Sequence, residues 1–252
     1  MGKNEFKIKK LLLNKMSSNA IKRIINKDLK EIQKMDLKEL GIHIIFNEEN
    51  MLNARALIIG PKDTPFENGI LFFDIIFPSN YPFSPPSVKY FSTSKYRIHP
   101  NLYVGKPQDN FLGKVCLSII NTWAGPKWTT VMHVGSVLIS IQSLLCKNPL
   151  HNEPGFENEK GKRNDLYNSI VEYDTFQTLI NKNCFNIPGN YKDFNNIIND
   201  HIKASKEDIL KKINLLSKNN PDKKKIDLNI YRLSLIIDYP KLEANIIKNI
   251  NL

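Results

Sequence analysis

The sequence predicts an α+β fold: an N-terminal amphipathic helix, a four-stranded antiparallel meander, an irregular segment carrying a cysteine, then C-terminal helices. Three observations support this. Residues 18–35 repeat Ile21, Ile25, Leu29 and Ile32 at three- and four-residue spacing, the period of one helix face, and Ser18 or Asn19 can cap the start. Four short β-branched or aromatic runs follow at 41–47, 54–60, 70–78 and 87–92, separated by the turn-rich stretches NEEN, GPKDTPFENG and PSNYPFSPP. Connectors this short join neighbouring antiparallel strands, because a parallel crossover needs a dozen residues or more. Apolar spacing then returns to the helical period at 129–146 and 164–181.

The remaining segments follow in order. Residues 1–17 are basic with a short LLL at 11–13 and read as an N-terminal extension or loosely docked arm. YPFSPP (81–86) is a rigid bend, since proline cannot donate to a strand ladder. The chain is irregular from Arg97 to Gly113, and VCLSII (115–120) is an apolar segment containing Cys116. The helix over 129–146 presents Val131, Val134, Leu138, Ile141 and Leu145 inward and stops at Asn148–Pro149. The helix over 164–181 starts at Asn164 as its cap, with Tyr167, Ile170, Tyr173 and Leu179 inward. Further helices are expected over 191–217 and 226–251, split by NNPDKKK (219–225) and kinked at Pro240. The predicted organisation is an extension at 1–17, a core domain at 18–182 and a helical C-terminal extension at 183–252.

Bulk properties narrow the function classes. A chain of 252 residues can bury a substantial core without disulfides or metals, and 41% hydrophobic with 24% charged residues is an ordinary soluble balance. The net charge of +11 favours acidic partners in general. The lysines are scattered and no stretch that interleaves aromatics with basic residues stands out, so nucleic-acid binding is not expected. No long apolar segment suggests a signal peptide or membrane span. Cys116, Cys146 and Cys184 lack CxxC spacing, which argues against a disulfide framework and a zinc site and fits a reducing cytoplasm or nucleus.

Four readings of Cys116 compete: a core cysteine, a metal ligand, a protease nucleophile and a thioester carrier. The histidines His43, His99, His133, His151 and His201 form no protease signature, and metal partners are missing from the sequence around the cysteine. RIHPNLY (97–103) precedes the cysteine and GKVCLSIINTW (113–123) surrounds it, with GPKDTPFENGILFFDIIFP (60–78) and YPFSPP upstream and SIQSLL downstream. This ordered series, over about residues 18–182, resembles the ubiquitin-conjugating enzymes. CLSIINTWAGPKW and NPLHNEPGFE (148–157) look like the large Z-type members of that family.

The resemblance implies a UBC-like fold and a function. Cys116 would accept ubiquitin or a ubiquitin-like modifier from an activating enzyme as a thioester and pass it to a substrate lysine or a ligase. ATP is used by the activating enzyme, so no cofactor is expected. Asn101 would donate to the tetrahedral oxyanion or hold the loop that does, and His99 and Pro100 would brace that loop. The turn at 151–153 would receive the incoming lysine, with His151 and Asn152 preferred and Glu153 the third candidate. Lys22, Arg23 and Lys27 on the first helix would face the activating enzyme, and Phe83 a ligase. Trp123 and Trp128 are expected to pack, and Tyr81–Pro82 to be cis. Two departures stand out. Asn101 and Cys116 are fifteen residues apart, more than is usual in the family, because VGKPQDNFL (104–112) enlarges the loop. Trp128-Thr129-Thr130-Val131 also lacks the proline common in the family's second partner loop. The leading alternative from another class is a non-catalytic binding module of the same fold, against which Cys116 within GKVCL counts.

Overall fold

The computed structural model describes residues 18–250; the predicted arm at 1–17 lies outside the described residues. The first helix has three parts: α1 (Asn19–Arg23), a π-helical turn (Ile24–Asp28) and α2 (Leu29–Lys34). Ala20, Ile24 and Asp28 are fully buried, while Ile21, Ile25, Leu29 and Ile32 pack on the core from one flank. Four-residue spacing alone brings Ala20, Ile24 and Asp28 to one stripe, and its third member is an aspartate that the apolar pattern could not register. The Asp28 carboxylate accepts from the Tyr81 hydroxyl at 2.5 Å, the Val134 backbone N–H at 3.0 Å and the Arg23 guanidinium at 3.0 Å.

The sheet has five strands in sequential antiparallel order: β1 (Ile42–Phe46), β2 (Asn53–Ile59), β3 (Ile70–Ile76), β4 (Ser87–Phe91) and β5 (Leu112–Lys114). The predicted four-stranded meander is present, and the end of the enlarged loop adds the fifth strand against β4. Three residues gave too short a run to announce a strand. The near-continuous apolar sequence of β3 reflects burial on both faces. Ala56, Ile58, Leu71, Phe73, Ile75 and Tyr90 face the main core. Leu57, Phe72 and Phe91, which pair in register across three strands, face the other way with Ile70.

Two helices cover the core face: α3 (Val134–Leu144), and α4 (Lys162–Asp174) continued by a π-helical stretch (Thr175–Ile180). The start predicted for α3 is corrected. Residues 129–133 are not helical, His133 is the cap with its Nδ1 accepting from the Ser136 N–H, and Val131 is exposed instead of facing inward. Asn164 is likewise no cap; it is buried within the first turn of α4 and donates to Asn148 Oδ1.

The extension departs most from expectation. A 3-10 turn (Gly189–Phe194) leads into α5 (Asn195–Asn219), but residues 224–237 form a hairpin of β6 (Lys224–Leu228) and β7 (Leu233–Ile237). The predicted helix over 226–251 survives only as α6 (Tyr239–Ile250), where Pro240 lies in the first turn and kinks nothing. Period-two burial of Ile226 and Leu228, then Leu233, Leu235 and Ile237, explains the strands. Tyr191, Phe194, Ile198 and Cys184 cover the outer face of the sheet over Leu57, Ile70 and Phe72. The extension is therefore not wholly helical, and Ile209, Ile213, Ile226 and Leu228 belong to the same buried cluster as α3 and α4. Among the described residues no helix is long and apolar enough to cross a membrane.

Candidate active site

The segment carrying Cys116 follows β5 and lies against the His99–Leu102 turn. Leu102 bridges to both His99 and Val115, and the Cys116 N–H donates to the Asn101 carbonyl at 2.8 Å. The Asn101 side-chain amide donates in turn to the Cys116 carbonyl at 2.8 Å. The two residues therefore face each other as a doubly hydrogen-bonded pair. One N–H of the Asn101 amide is used this way, and an amide nitrogen carries two. Its Oδ1 is buried without a hydrogen-bond partner among the described residues.

The enlarged loop leaves this pairing intact by folding on itself. Residues 107–109 form a 3-10 turn, Asn110 and Phe111 adopt left-handed φ of 53° and 62°, and the chain returns along Tyr103, whose N–H donates to the Lys114 carbonyl. Gly113 permits the closure: a Cβ there would stand 1.6 Å from the Tyr103 carbonyl oxygen. Phe111 packs edge-on against Phe91, so the insertion thickens the sheet edge.

His99 is fully buried. Its Nδ1 accepts from the Asn101 N–H at 3.0 Å and its Nε2 donates to the Leu144 carbonyl at 2.9 Å. Burial lowers its pKa to about 4, with the Leu144 carbonyl opposing, so the ring is neutral near pH 7 and holds the loop as a fixed tautomer. The Pro100 carbonyl accepts from the Arg97 guanidinium. On the other side of the cysteine, Thr122 Oγ1 accepts from the Leu117 N–H at 2.9 Å and lies 2.8 Å from the Val115 carbonyl. Thr122 belongs to GKVCLSIINTW, but a hydroxyl that bonds backbone has no sequence signature of its own. Cys116 is 1% exposed.

His151, Asn152 and Glu153 form a half-buried 3-10 turn and its exit after α3. His151 Nε2 lies 2.8 Å from the Glu159 carbonyl, and the Asn152 amide donates to the Pro149 carbonyl at 3.2 Å. The Asn152 amide also lies 3.6 Å from Cys146 Sγ, so these bonds tie the turn to the end of α3 and to the segment before α4. Glu153 reaches further, accepting from the hydroxyl of Tyr231 in the extension. Arg97 and Tyr231 were both missed as site neighbours.

On the partner-facing side, only Lys22 of the predicted trio is exposed; Lys27 is half-buried. Arg23 is corrected. Its guanidinium is ion-paired to Asp28 and donates to the Thr130 and Met132 carbonyls, so it fastens the first helix to the segment before α3. Phe83 is 79% exposed beyond the cis Tyr81–Pro82 bond, and Trp128 is buried with its indole N–H on the Pro82 carbonyl at 2.7 Å. Among the described residues no group of three or more His, Cys, Asp or Glu could hold a metal ion.

The family described as ubiquitin-conjugating enzyme matches residues 24–174. The chain is 39% identical over 170 residues to ubiquitin-conjugating enzyme E2 Z of Xenopus tropicalis, covering 66% of this chain and 51% of that protein. It is 41% identical over 143 residues to the Homo sapiens protein of the same name, covering 56% of this chain and 38% of that one. A probable ubiquitin-conjugating enzyme of Caenorhabditis elegans is 37% identical over 182 residues, covering 68% of this chain and 24% of that protein. The chain thus spans about half the length, or less, of these relatives. With the paired Asn101 and Cys116 inside the matched region, the chain belongs to the ubiquitin-conjugating enzyme family.

Proposed function

We propose that Cys116 accepts ubiquitin or a ubiquitin-like modifier from an activating enzyme and transfers it to a substrate lysine, directly or through a ligase. The observation that carries this reading is the hydrogen-bonded pair of Asn101 and Cys116, maintained across the enlarged loop. Loading exchanges one thioester for another: the Cys116 sulfur attacks the modifier's C-terminal carbonyl and the activating enzyme's thiolate leaves. Discharge replaces the Cys116 sulfur with the lysine nitrogen, which gives up a proton. Both steps pass through a tetrahedral oxyanion. The second N–H of the Asn101 amide is the candidate donor, and the 151–153 turn, with His151 and Asn152, is the candidate acceptor side. ATP is consumed by the activating enzyme and the chain itself needs no cofactor. Lys22 contributes to the activating-enzyme surface and Phe83 to a ligase surface. A reducing compartment, cytoplasm or nucleus, suits a free carrier thiol.

The test is direct. The full chain is incubated with an activating enzyme, ATP and labelled ubiquitin, then resolved with and without reductant. A reductant-sensitive adduct that Cys116→Ala lacks is expected. No adduct across several activating enzymes and modifiers would sink the reading.

A further inference from the structure

The tip of the β6–β7 hairpin touches two parts of the site that otherwise belong to separate segments. The Arg97 guanidinium lies between two rings, 3.7 Å from the centroid of Tyr103 and 4.1 Å from that of Tyr231. Arg97 also donates to the Pro100 carbonyl, so whatever holds Arg97 holds the turn that carries His99 and Asn101. The Tyr231 hydroxyl donates to the Glu153 carboxylate on the acceptor-side turn. Tyr167, whose hydroxyl donates to the Arg97 carbonyl, meets the Tyr231 ring edge-on and backs the arrangement.

The tip itself is strained. Tyr231 and Arg232 take φ of 55° and 54°, a left-handed conformation that disfavours large side chains. A hairpin closed for its own sake would use Asn-Gly. Such strain persists where surrounding contacts over-determine it, here the Arg97 stack and the Glu153 hydrogen bond. A planar guanidinium between two aromatic faces resists tilting, which suits a part that must hold position.

We propose that Tyr231 is a positioning residue that ties the His99–Asn101 turn to the 151–153 turn, so that the C-terminal extension sets the acceptor side of the site. This rests on the carrier reading above. It requires that Tyr231 matter for lysine discharge and not for thioester formation, since loading brings the activating enzyme and not a lysine to the site.

Three single variants of the full chain, and the double variant Tyr231→Phe with Glu153→Gln, separate the contributions. Tyr231→Ala removes stack and hydrogen bond, Tyr231→Phe keeps the ring and releases Glu153, and Glu153→Gln weakens the carboxylate end. Thioester formation by both Tyr231 variants should match the parent within about twofold, while single-turnover discharge to free lysine should fall about tenfold or more in Tyr231→Ala. Tyr231→Phe should recover most of that loss. In the double variant its residual defect should not multiply with that of Glu153→Gln, because both act on the same bond. Hydrogen exchange gives a readout independent of activity: amides at 99–103 and 150–153 should exchange faster in Tyr231→Ala. Discharge at the parental rate, a loss shared equally by loading, independent multiplication of the two single defects, or unchanged exchange at both turns would each overturn the proposal. If the parent chain forms no thioester, the carrier reading fails on that lane while exchange still decides whether the tether exists.

Discussion

Replacing Asn101 distinguishes a group that stabilises the reaction from one that only braces a loop. Asn101→Ala deletes the 2.8 Å bond to the Cys116 carbonyl and leaves that buried oxygen short of a donor, while the backbone bond from the Cys116 N–H to the Asn101 carbonyl remains. The stability loss is about 1–3 kcal/mol, the cost of stranding a buried acceptor. For a chain of this size that lowers Tm by roughly 2–4 °C per kcal/mol. Against a total of about 5–15 kcal/mol, such a loss leaves the chain folded at 25 °C. A rate defect measured there is therefore not an unfolding defect. Removal of an oxyanion donor costs about 10²–10³ in rate. In a single-turnover assay, discharge of the Cys116 thioester to free lysine should fall about 100-fold or more, and loading by less than about threefold. Asn101→Asp should be no better at discharge, because a carboxylate accepts and cannot donate. Equal losses in the two steps would refute the donor role and leave Asn101 a brace; full discharge by Asn101→Asp would refute it as directly.

Other expectations follow from buried groups away from the cysteine. Asp174 is fully buried and burial raises its pKa to about 6, so the stability it permits is present below about pH 4 and lost as pH rises through 6. His99, held down to about 4, acts with the opposite sign: its stability is full above about pH 6.5 and lost as pH falls toward 4. His43, His133 and His201 are lowered by burial too and add in the same direction as His99. Asp174→Asn removes the opposing slope, on the order of 3 kcal/mol for a carboxyl raised to about 6. Its urea midpoint should therefore climb more steeply than the parent's from pH 4.5 to 6.5, and a flatter climb contradicts the assignment. Asp28→Ala strips three partners of their acceptor and should cost about 3–5 kcal/mol in equilibrium unfolding; a loss below about 1 kcal/mol would dismiss Asp28 as a hub. In timed alkylation mapped by peptide mass, half-buried Cys146 should react before Cys116 and Cys184; early labelling of Cys184, whose thiol burial pushes far above its usual range, would contradict its placement.

The catalytic half of the fold was legible because function and folding leave overlapping marks there. The strands of the meander alternate or run apolar between proline and glycine turns, and HPN with GKVCL marks the two segments that pair at the site. The misreadings have local physical causes. Asp28 and Arg23 look like solvated charges on an amphipathic helix until α3 arrives over them, and only tertiary structure supplies the Val134 N–H and the Met132 carbonyl. The helix expected over 226–251 fails over its first half, where burial alternates through Ile226, Leu228, Leu233, Leu235 and Ile237 in two five-residue strands too short to separate from helix by periodicity. Tyr231 could not be found in this way. Its importance lies in reaching Glu153, 78 residues earlier, and no spacing rule spans that distance.

The extension and the core cannot be treated as independent parts, although the family match ends at residue 174. Leu57, Ile70 and Phe72 on the outer sheet face are fully buried beneath residues from 184 to 198, and removing that cover would expose a continuous apolar surface. At the other end of the extension, the hairpin tip grips Arg97 and Glu153. One segment thus shields the sheet and borders the site. The proposed carrier role asks the opposite of the cysteine, access, and Cys116 is only 1% exposed. The hydrogen bonds around it run to backbone: Asn101 to the Cys116 carbonyl, and Thr122 to Val115 and Leu117. The backbone on both sides of Cys116 is thus held by side chains that leave the cysteine's own side chain outside the bracing bonds.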